Sequence, residues 1–309
     1  MTVAFNAVMP MFLTIIVGCM IGRTNMLDEN SQKRINALLF NVLFPIVVIC
    51  NLYGTSIKEA FDVKLIIFSI TIGSILWLAT IPVVMKIEKN NRSRGAMIQA
   101  INRSNFLVIG LPVVADICQG QNMAATAITI VGVILVNNIM SVIVLEVFRG
   151  RKPDGKKIAK GIIINPIVVS TVLGMLLMIF NVRMPQVAEK TLDSLGGIAT
   201  PLALLVIGAS INLKSIKGKK KDVIICVIGK LFVVPGIVTG LGIILGFRGV
   251  EFVTLLAFFS ASPTTTSYTM ADQMDSDSEL ACASLVFSTA LVAPAMFCWL
   301  LFYKMLGMY

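Results

Sequence analysis

The chain has 309 residues, of which 57% are hydrophobic and only 14% charged, and its formal net charge is +10. A soluble domain carries about a quarter charged residues, so this composition, with a mean hydropathy of +0.90, excludes an ordinary globular fold and points to an all-α polytopic membrane protein. No histidine is present, which removes His-ligated zinc, Ser-His hydrolysis and axial-histidine haem.

Taken in chain order, charges and turn residues divide the sequence into ten predicted transmembrane helices. They lie at about residues 3–22, 35–55, 65–85, 96–117, 123–148, 161–180, 194–213, 223–247, 253–272 and 280–303. The first has no basic residue before it and reads as a span rather than a cleaved signal peptide. Of the 26 Lys and Arg residues, 18 fall in the odd-numbered loops and 6 in the N-terminus, the even-numbered loops and the C-terminal tail. The positive-inside rule then puts the odd loops in the cytoplasm and both termini outside the cell membrane. The same placement accounts for the positive charge without a nucleic-acid partner.

Prolines recur at one offset. Pro10 pairs with Pro166, Pro45 with Pro201, Pro82 with Pro235 and Pro112 with Pro263, at offsets of 156, 156, 153 and 151. Span n of the first half thus matches span n + 5 of the second. Each half has an odd number of spans, so the halves are expected to be two inverted five-helix repeats, the plan of many secondary transporters. The predicted divisions are a first repeat over 1–149, a basic cytoplasmic linker over 150–160 and a second repeat over 161–309.

Spans four and nine, equivalent under this repeat, are the polar ones. QAINRSNFLVIGLPVVAD (99–116) carries Asn102, Arg103, Ser104, Asn105, Gly110 and Pro112; SASPTTTSYTMAD (260–272) carries Ser260, Ser262, Pro263, Thr264, Thr265 and Thr266. Polar side chains in hydrocarbon are costly and are expected to face protein or water. A proline inside a span frees a backbone carbonyl and breaks the helix. Two broken, crossed helices would aim their half-helix N-termini, each a positive dipole end, into one cavity, which favours an anion. Helix–helix packing through small hydroxyl residues is the plainer reading of the Ser/Thr cluster; the doubled break tips the balance toward a binding site.

Arg103 and Lys230 are the basic residues within spans, and each is either an anion partner or a snorkelling and packing residue. Asn137 and Asn138, mid-span in helix five, are expected to line the cavity or a helix interface. Asp116, Glu146 and Asp272 read as solvated span ends. The six cysteines form no CxxC pair and read as small packing residues, not as disulfides or metal ligands. GLGIILG (240–246) has the wrong spacing for a phosphate loop, and DSDSE (275–279) is a short solvated acidic loop. No Walker A motif or GxGD signature occurs, so neither an ATP-driven pump nor an intramembrane aspartyl protease is encoded. No competent nucleophile, metal set or acid–base pair emerges, and an enzyme is the weakest reading.

RSNFLVIGLPVV (103–114), INPIVVSTVLGMLL (164–177), ATPLALLVIGASI (199–211), GKLFVVPGI (229–237) and FSTALVAPAMFCW (287–299) resemble the auxin efflux carrier family, which includes plant auxin exporters and bacterial malate or malonate permeases. The resemblance runs along essentially the whole chain. It implies scaffold helices 1, 2, 6 and 7 and a transport domain of helices 3–5 and 8–10, with helices 4 and 9 crossed. It places the span-four asparagine at Asn105 and the crossover prolines at Pro112 and Pro263. It also implies an elevator-type movement of an organic anion and an expected homodimer. The link between spans five and six, RGRKPDGKKIAK, is far shorter than the long hydrophilic loop of the plant members, which favours a prokaryotic carrier.

The expected function is therefore secondary transport of a small carboxylate, without an organic cofactor, coupled to H+ or Na+. The expected partners are the carboxylate and the lipid bilayer. The alternatives are a sodium-coupled bile-acid-type symporter and a non-transporting membrane subunit or sensor. Asn105, Ser262, Thr264, Thr265 and Thr266 are expected to hold the carboxylate, with Gly110, Pro112 and Pro263 shaping the broken helices.

Overall fold

A computed structural model describes residues 2–53, 63–118, 123–149, 155–180, 182–210 and 218–309. All regular structure among the described residues is helical. The helices are α1 (Thr2–Gly22), α2 (Glu29–Leu38), α3 (Phe44–Tyr53), α4 (Val63–Ile87), α5 (Asn91–Asn102), α6 (Leu111–Ile117), α7 (Met123–Val147), α8 (Gly155–Ile163), α9 (Pro166–Ile179) and α10 (Gln186–Ser210), then α11 (Lys220–Ile228), α12 (Val234–Ile244), α13 (Gly249–Ser260), α14 (Thr265–Gln273) and α15 (Ser278–Met305). Six segments among the described residues are long and apolar enough to cross a bilayer: Glu29–Tyr53, Lys64–Ile87, Asn91–Ile117, Gln186–Ser210, Lys220–Ile244 and Ser278–Met305. Shorter apolar helices cover Met9–Gly22, Gly132–Val147 and Pro166–Ile179. The protein is a multi-pass, all-helical membrane protein.

Local sequence explains where these helices start. Asp28 accepts from the Ser31 amide, Asn90 from the Arg92 amide and Asn165 from the Ile167 amide, each side chain satisfying a donor that the first helical turn leaves open. Pro166 then sits at the opening of α9, where its missing N–H costs nothing.

Three prolines share a different device. Pro45, Pro112 and Pro235 each follow a five-residue π-turn, at Leu39–Leu43, Phe106–Gly110 and Gly229–Val233. A proline ring collides with the carbonyl four residues back. Widening the helix by one residue relieves that collision and keeps the segment helical. The carbonyl freed by Pro235 is that of Leu231, and it accepts the Trp299 indole N–H at 2.9 Å. Their offset partners Pro82 and Pro201 lie inside regular helices, so the paired prolines do not share one local form.

One break falls where its proline predicts and the other does not. In the fourth segment the chain leaves the helix at Arg103–Asn105, upstream of Pro112, which only follows a π-turn. In the ninth it unwinds at Ala261–Thr264, around Pro263.

Two groups of helices pack around these breaks. In one, α1 runs along α10 and α3 along α9, with α3 also against α10. Glycines set the closeness of α1 and α10: a Cβ on Gly18 would strike the Leu205 carbonyl oxygen, and one on Gly208 the Ile15 carbonyl oxygen. Such backbone-to-backbone approach is how membrane helices gain dispersion contacts without a hydrophobic drive. In the other group, α4 and α5 pack on α7, α12 on α13, and α11 and α14 on α15. The largest apolar core lies mainly in this second group. A second apolar cluster, including Leu39, Phe44, Val142, Ala199 and Met270, joins the two groups.

Candidate functional site

The two breaks are tied to each other. The Asn105 amide donates to the Ser262 carbonyl at 2.8 Å, and the Ser104 hydroxyl donates to the Phe258 carbonyl. Each bond gives an unwound strand the partner it loses on leaving the helix. The Thr289 hydroxyl on α15 holds the second break from outside, donating to Ser262 Oγ at 3.1 Å. The Phe106 and Phe258 rings lie 5.3 Å apart beneath the crossing.

A cavity of about 250 Å³ opens where the breaks meet. One wall is formed by Arg103 to Val108 and by Thr264 to Thr266, with Ile134, Asn137 and Asn138 from α7. The facing wall comes from the other helix group: Phe44, Val47, Val48 and Asn51 of α3, and Thr200 of α10. None of the described lining side chains is acidic.

Arg103 dominates the electrostatics. It is buried, its Nη1 lies 2.7 Å from the Met270 sulfur and its Nη2 donates to Asn138 Oδ1 at 3.2 Å. Its Nε has no partner among the described residues. A guanidinium held by an amide and a thioether is oriented without being neutralised, which leaves an uncompensated positive charge on the cavity wall. Asn138 in turn donates to Thr171 Oγ1 on α9 at 3.2 Å.

The helix ends reinforce the same sign. Thr264, the N-cap of α14, and Asn105, before the π-turn at Phe106, make no side-chain cap bond. The first-turn N–H groups of both half-helices are thereby left without a side-chain acceptor at the cavity, and they present the positive ends of two dipoles.

Of the residues singled out in the sequence, Asn105, Thr264, Thr265, Thr266, Arg103, Asn137 and Asn138 come together at this cavity. Ser262 and Pro263 lie in the second break behind it, and Ser262 serves the crossing itself. Gly110 does not line the cavity: a Cβ there would run into the Phe106 ring and the Ala257 carbonyl, so its role is close packing of the fourth segment on α13. Pro112 is likewise off the cavity. The two asparagines of α7 divide the work. Asn137 accepts the Trp77 indole N–H at 2.9 Å, while Asn138 orients Arg103. Lys230 is fully buried but lies away from the cavity lining.

Asp116 is exposed, Glu146 pairs with Arg149 at 2.9 Å, and Asp272 accepts from Asn36 at 3.2 Å. All six cysteines are free thiols. The facing wall, Phe44, Asn51 and Thr200, is not visible in sequence; the available signal was only a lone amide and a hydroxyl in otherwise apolar helices.

Comparison with known proteins bears on what such a site serves. The sequence profile of the family described as "Membrane transport protein" matches residues 3–161 and 155–300. A protein of Methanothermobacter thermautotrophicus named "Uncharacterized transporter" is 20% identical over 297 residues, covering 95% of this chain and 96% of that protein. With the profile spanning nearly the whole sequence, the chain belongs to this family of membrane transport proteins, the auxin efflux carrier family.

Proposed function

We propose that this protein is a secondary transporter that moves a small organic anion, a carboxylate, across the cell membrane, and that it is not an enzyme. The observation that carries this reading is the unneutralised Arg103 guanidinium, with a free Nε, in a cavity without acidic lining where two half-helix N-termini converge. A buried cation facing a cavity with no acidic side chain among its described lining residues is matched by an anion. The amide of Asn105 and the hydroxyls of Thr264, Thr265 and Thr266 supply further hydrogen bonds, and Phe44, Val47 and Val48 of the facing wall receive the carbon skeleton.

In this reading ten spans form two inverted repeats, over 1–149 and 161–309, with both termini outside. Support comes from interrupted helices in the two segments that the proline pattern makes equivalent, and from the threefold excess of basic residues in the odd-numbered loops. The helix group of α1, α3, α9 and α10 acts as scaffold. The group carrying both breaks moves against it, elevator-fashion. The cavity is bounded by both groups, as an anion carried between them requires. Coupling is to H+ or Na+, and among the described residues no carboxylate lines the cavity.

The test is electrical recording from liposomes containing the purified protein, on adding malate, malonate or indole-3-acetate with and without sodium. A saturable response to one acid, lost in Asn105→Ala, supports the reading. Silence with all three acids, or a response unchanged in the variant, counts against it.

A further inference from the structure

Lys230 is the second buried cation among the described residues, and the anion site leaves it unused. It lies in the π-turn Gly229–Val233, is completely shielded from solvent, and its Nζ has no hydrogen-bond partner among the described residues. The turn packs against α5, α13 and α15. Gly229 rests on the Ile101 side chain, two residues before Arg103, so Lys230 and Arg103 sit on adjacent stretches of touching segments. Three other buried polar atoms on the same helices also lack partners: Gln99 Oε1 on α5 and the hydroxyls of Ser284 and Ser288 on α15.

Ionisable groups on the surrounding elements give Lys230 Nζ no hydrogen bond among the described residues. Its own segment holds Lys220, Lys221, Asp222 and Cys226. On α5 there are Arg92, Arg94 and, at its end, Arg103. On α13 there is Glu251, in the first turn. On α15, Glu279 pairs with Lys219, Tyr303 bonds to Thr239, and Cys282, Cys298 and Lys304 complete the set. Among the described residues none of these groups hydrogen-bonds to Lys230 Nζ.

An ammonium in a dry interior is sustained only by hydrogen bonds or an opposite charge. For packing alone, methionine or leucine fills the same space without that cost. A lysine kept here without partners is suited to a group whose charge changes during the cycle. We propose that Lys230 is the proton site of this carrier, which rests on the anion-transport reading above. The neutral amine takes a proton from water on the side that the cavity faces, forming a new N–H bond. It returns that proton to water on the opposite side when the anion leaves. An anion on Arg103 and a proton on Lys230 offset one another's charge across a low-dielectric layer, so each favours binding of the other, reciprocally. Each cycle then carries the charge of the anion plus one.

The experiment uses liposomes with a trapped pH-sensitive dye, external radiolabelled malonate, and wild type beside Lys230→Met and Lys230→Arg. Arginine keeps the charge but does not give up its proton. In wild type, malonate entry is expected to acidify the interior and to accelerate several-fold under an inward proton gradient. Both variants are expected to keep malonate counterflow and to lose the dye signal and the gradient effect. A proton signal retained in either variant, or malonate entry without one in wild type, overturns the proposal. Should wild type move no malonate, the anion reading fails for that probe, and Lys230 is judged separately from the melting-temperature difference between wild type and Lys230→Met as pH is varied. A difference that changes with pH supports titration of the amine in the folded protein. A constant offset overturns it.

Discussion

The two helix breaks do the same backbone work with opposite chemistry. The first, Arg103–Asn105, carries a guanidinium and an amide; the second, Ala261–Thr264, leads into hydroxyls alone. They are joined by the Asn105 amide and the Ser262 carbonyl, so each stabilises the other's departure from helix. The lesson is a division of labour. In the proposed reading charge recognition sits in the first half of the chain, and the second half adds hydrogen bonds and a helix dipole without a second fixed charge at the cavity. A single buried cation in the described cavity lining also limits the charge that the cavity can match.

This asymmetry is what mutation can break. The largest effects are expected at the first break. Arg103→Met removes a charge-assisted contact of about 1.5–3 kcal/mol per hydrogen bond, and carboxylate transport should fall by about two orders of magnitude or more, read as initial uptake rate. Asn105→Ala should abolish transport while the protein stays folded, with folding checked by an unchanged melting profile. At the second break, Thr264→Val or Thr265→Val removes one neutral hydrogen bond of about 1 kcal/mol. The half-saturating concentration should rise about fivefold by that estimate, with the maximal rate kept. If a threonine variant proves as damaging as Arg103→Met, the division of labour is wrong. Asn138→Leu sharpens the comparison from behind. It frees Arg103 Nη2 and leaves Thr171 without its donor, and weakened binding by about tenfold is expected from the loss of a charged hydrogen bond.

The smallest effect is expected far from both breaks. Lys219 pairs with Asp277 at 2.7 Å and Glu279 at 3.2 Å on the loop side of α15. Partial burial pulls its pKa down, but the two carboxylates outweigh this and hold it above the ordinary 10.5. A raised amine contributes stability fully below its unfolded value and loses it only as pH climbs through the folded one. Lys219→Met should therefore cost at most about 1 kcal/mol, constant through neutral pH and vanishing only in strong alkali, with transport unchanged.

The all-helical, membrane-spanning character was legible because apolar runs bounded by charges need no tertiary information. The positions of the breaks were only half legible. Pro112 drew attention to the fourth segment, yet the chain unwinds upstream at Arg103–Asn105, because a π-turn absorbs the proline clash and the unwound amide finds its acceptor, Ser262, in the other half of the sequence. Such long-range pairing leaves no local trace. For the same reason Asn137 and Asn138 look alike in sequence but separate in space, one bonded to Trp77 and the other to Arg103. Phe44, Asn51 and Thr200 reach the cavity only through the packing of α3 and α10, and no periodicity announces them. Lys230 was visible as a charge in an apolar span, but its lack of any partner is a property of the packed core.

The most direct test of the central claim is the saturable current evoked by malate, malonate or indole-3-acetate in liposomes bearing wild type or Arg103→Met, at matched protein density. A current for one of these acids in wild type that is absent in Arg103→Met is the predicted result. An equal saturable current in both would show that the anion does not bind at the crossing of the two breaks, and would contradict the account.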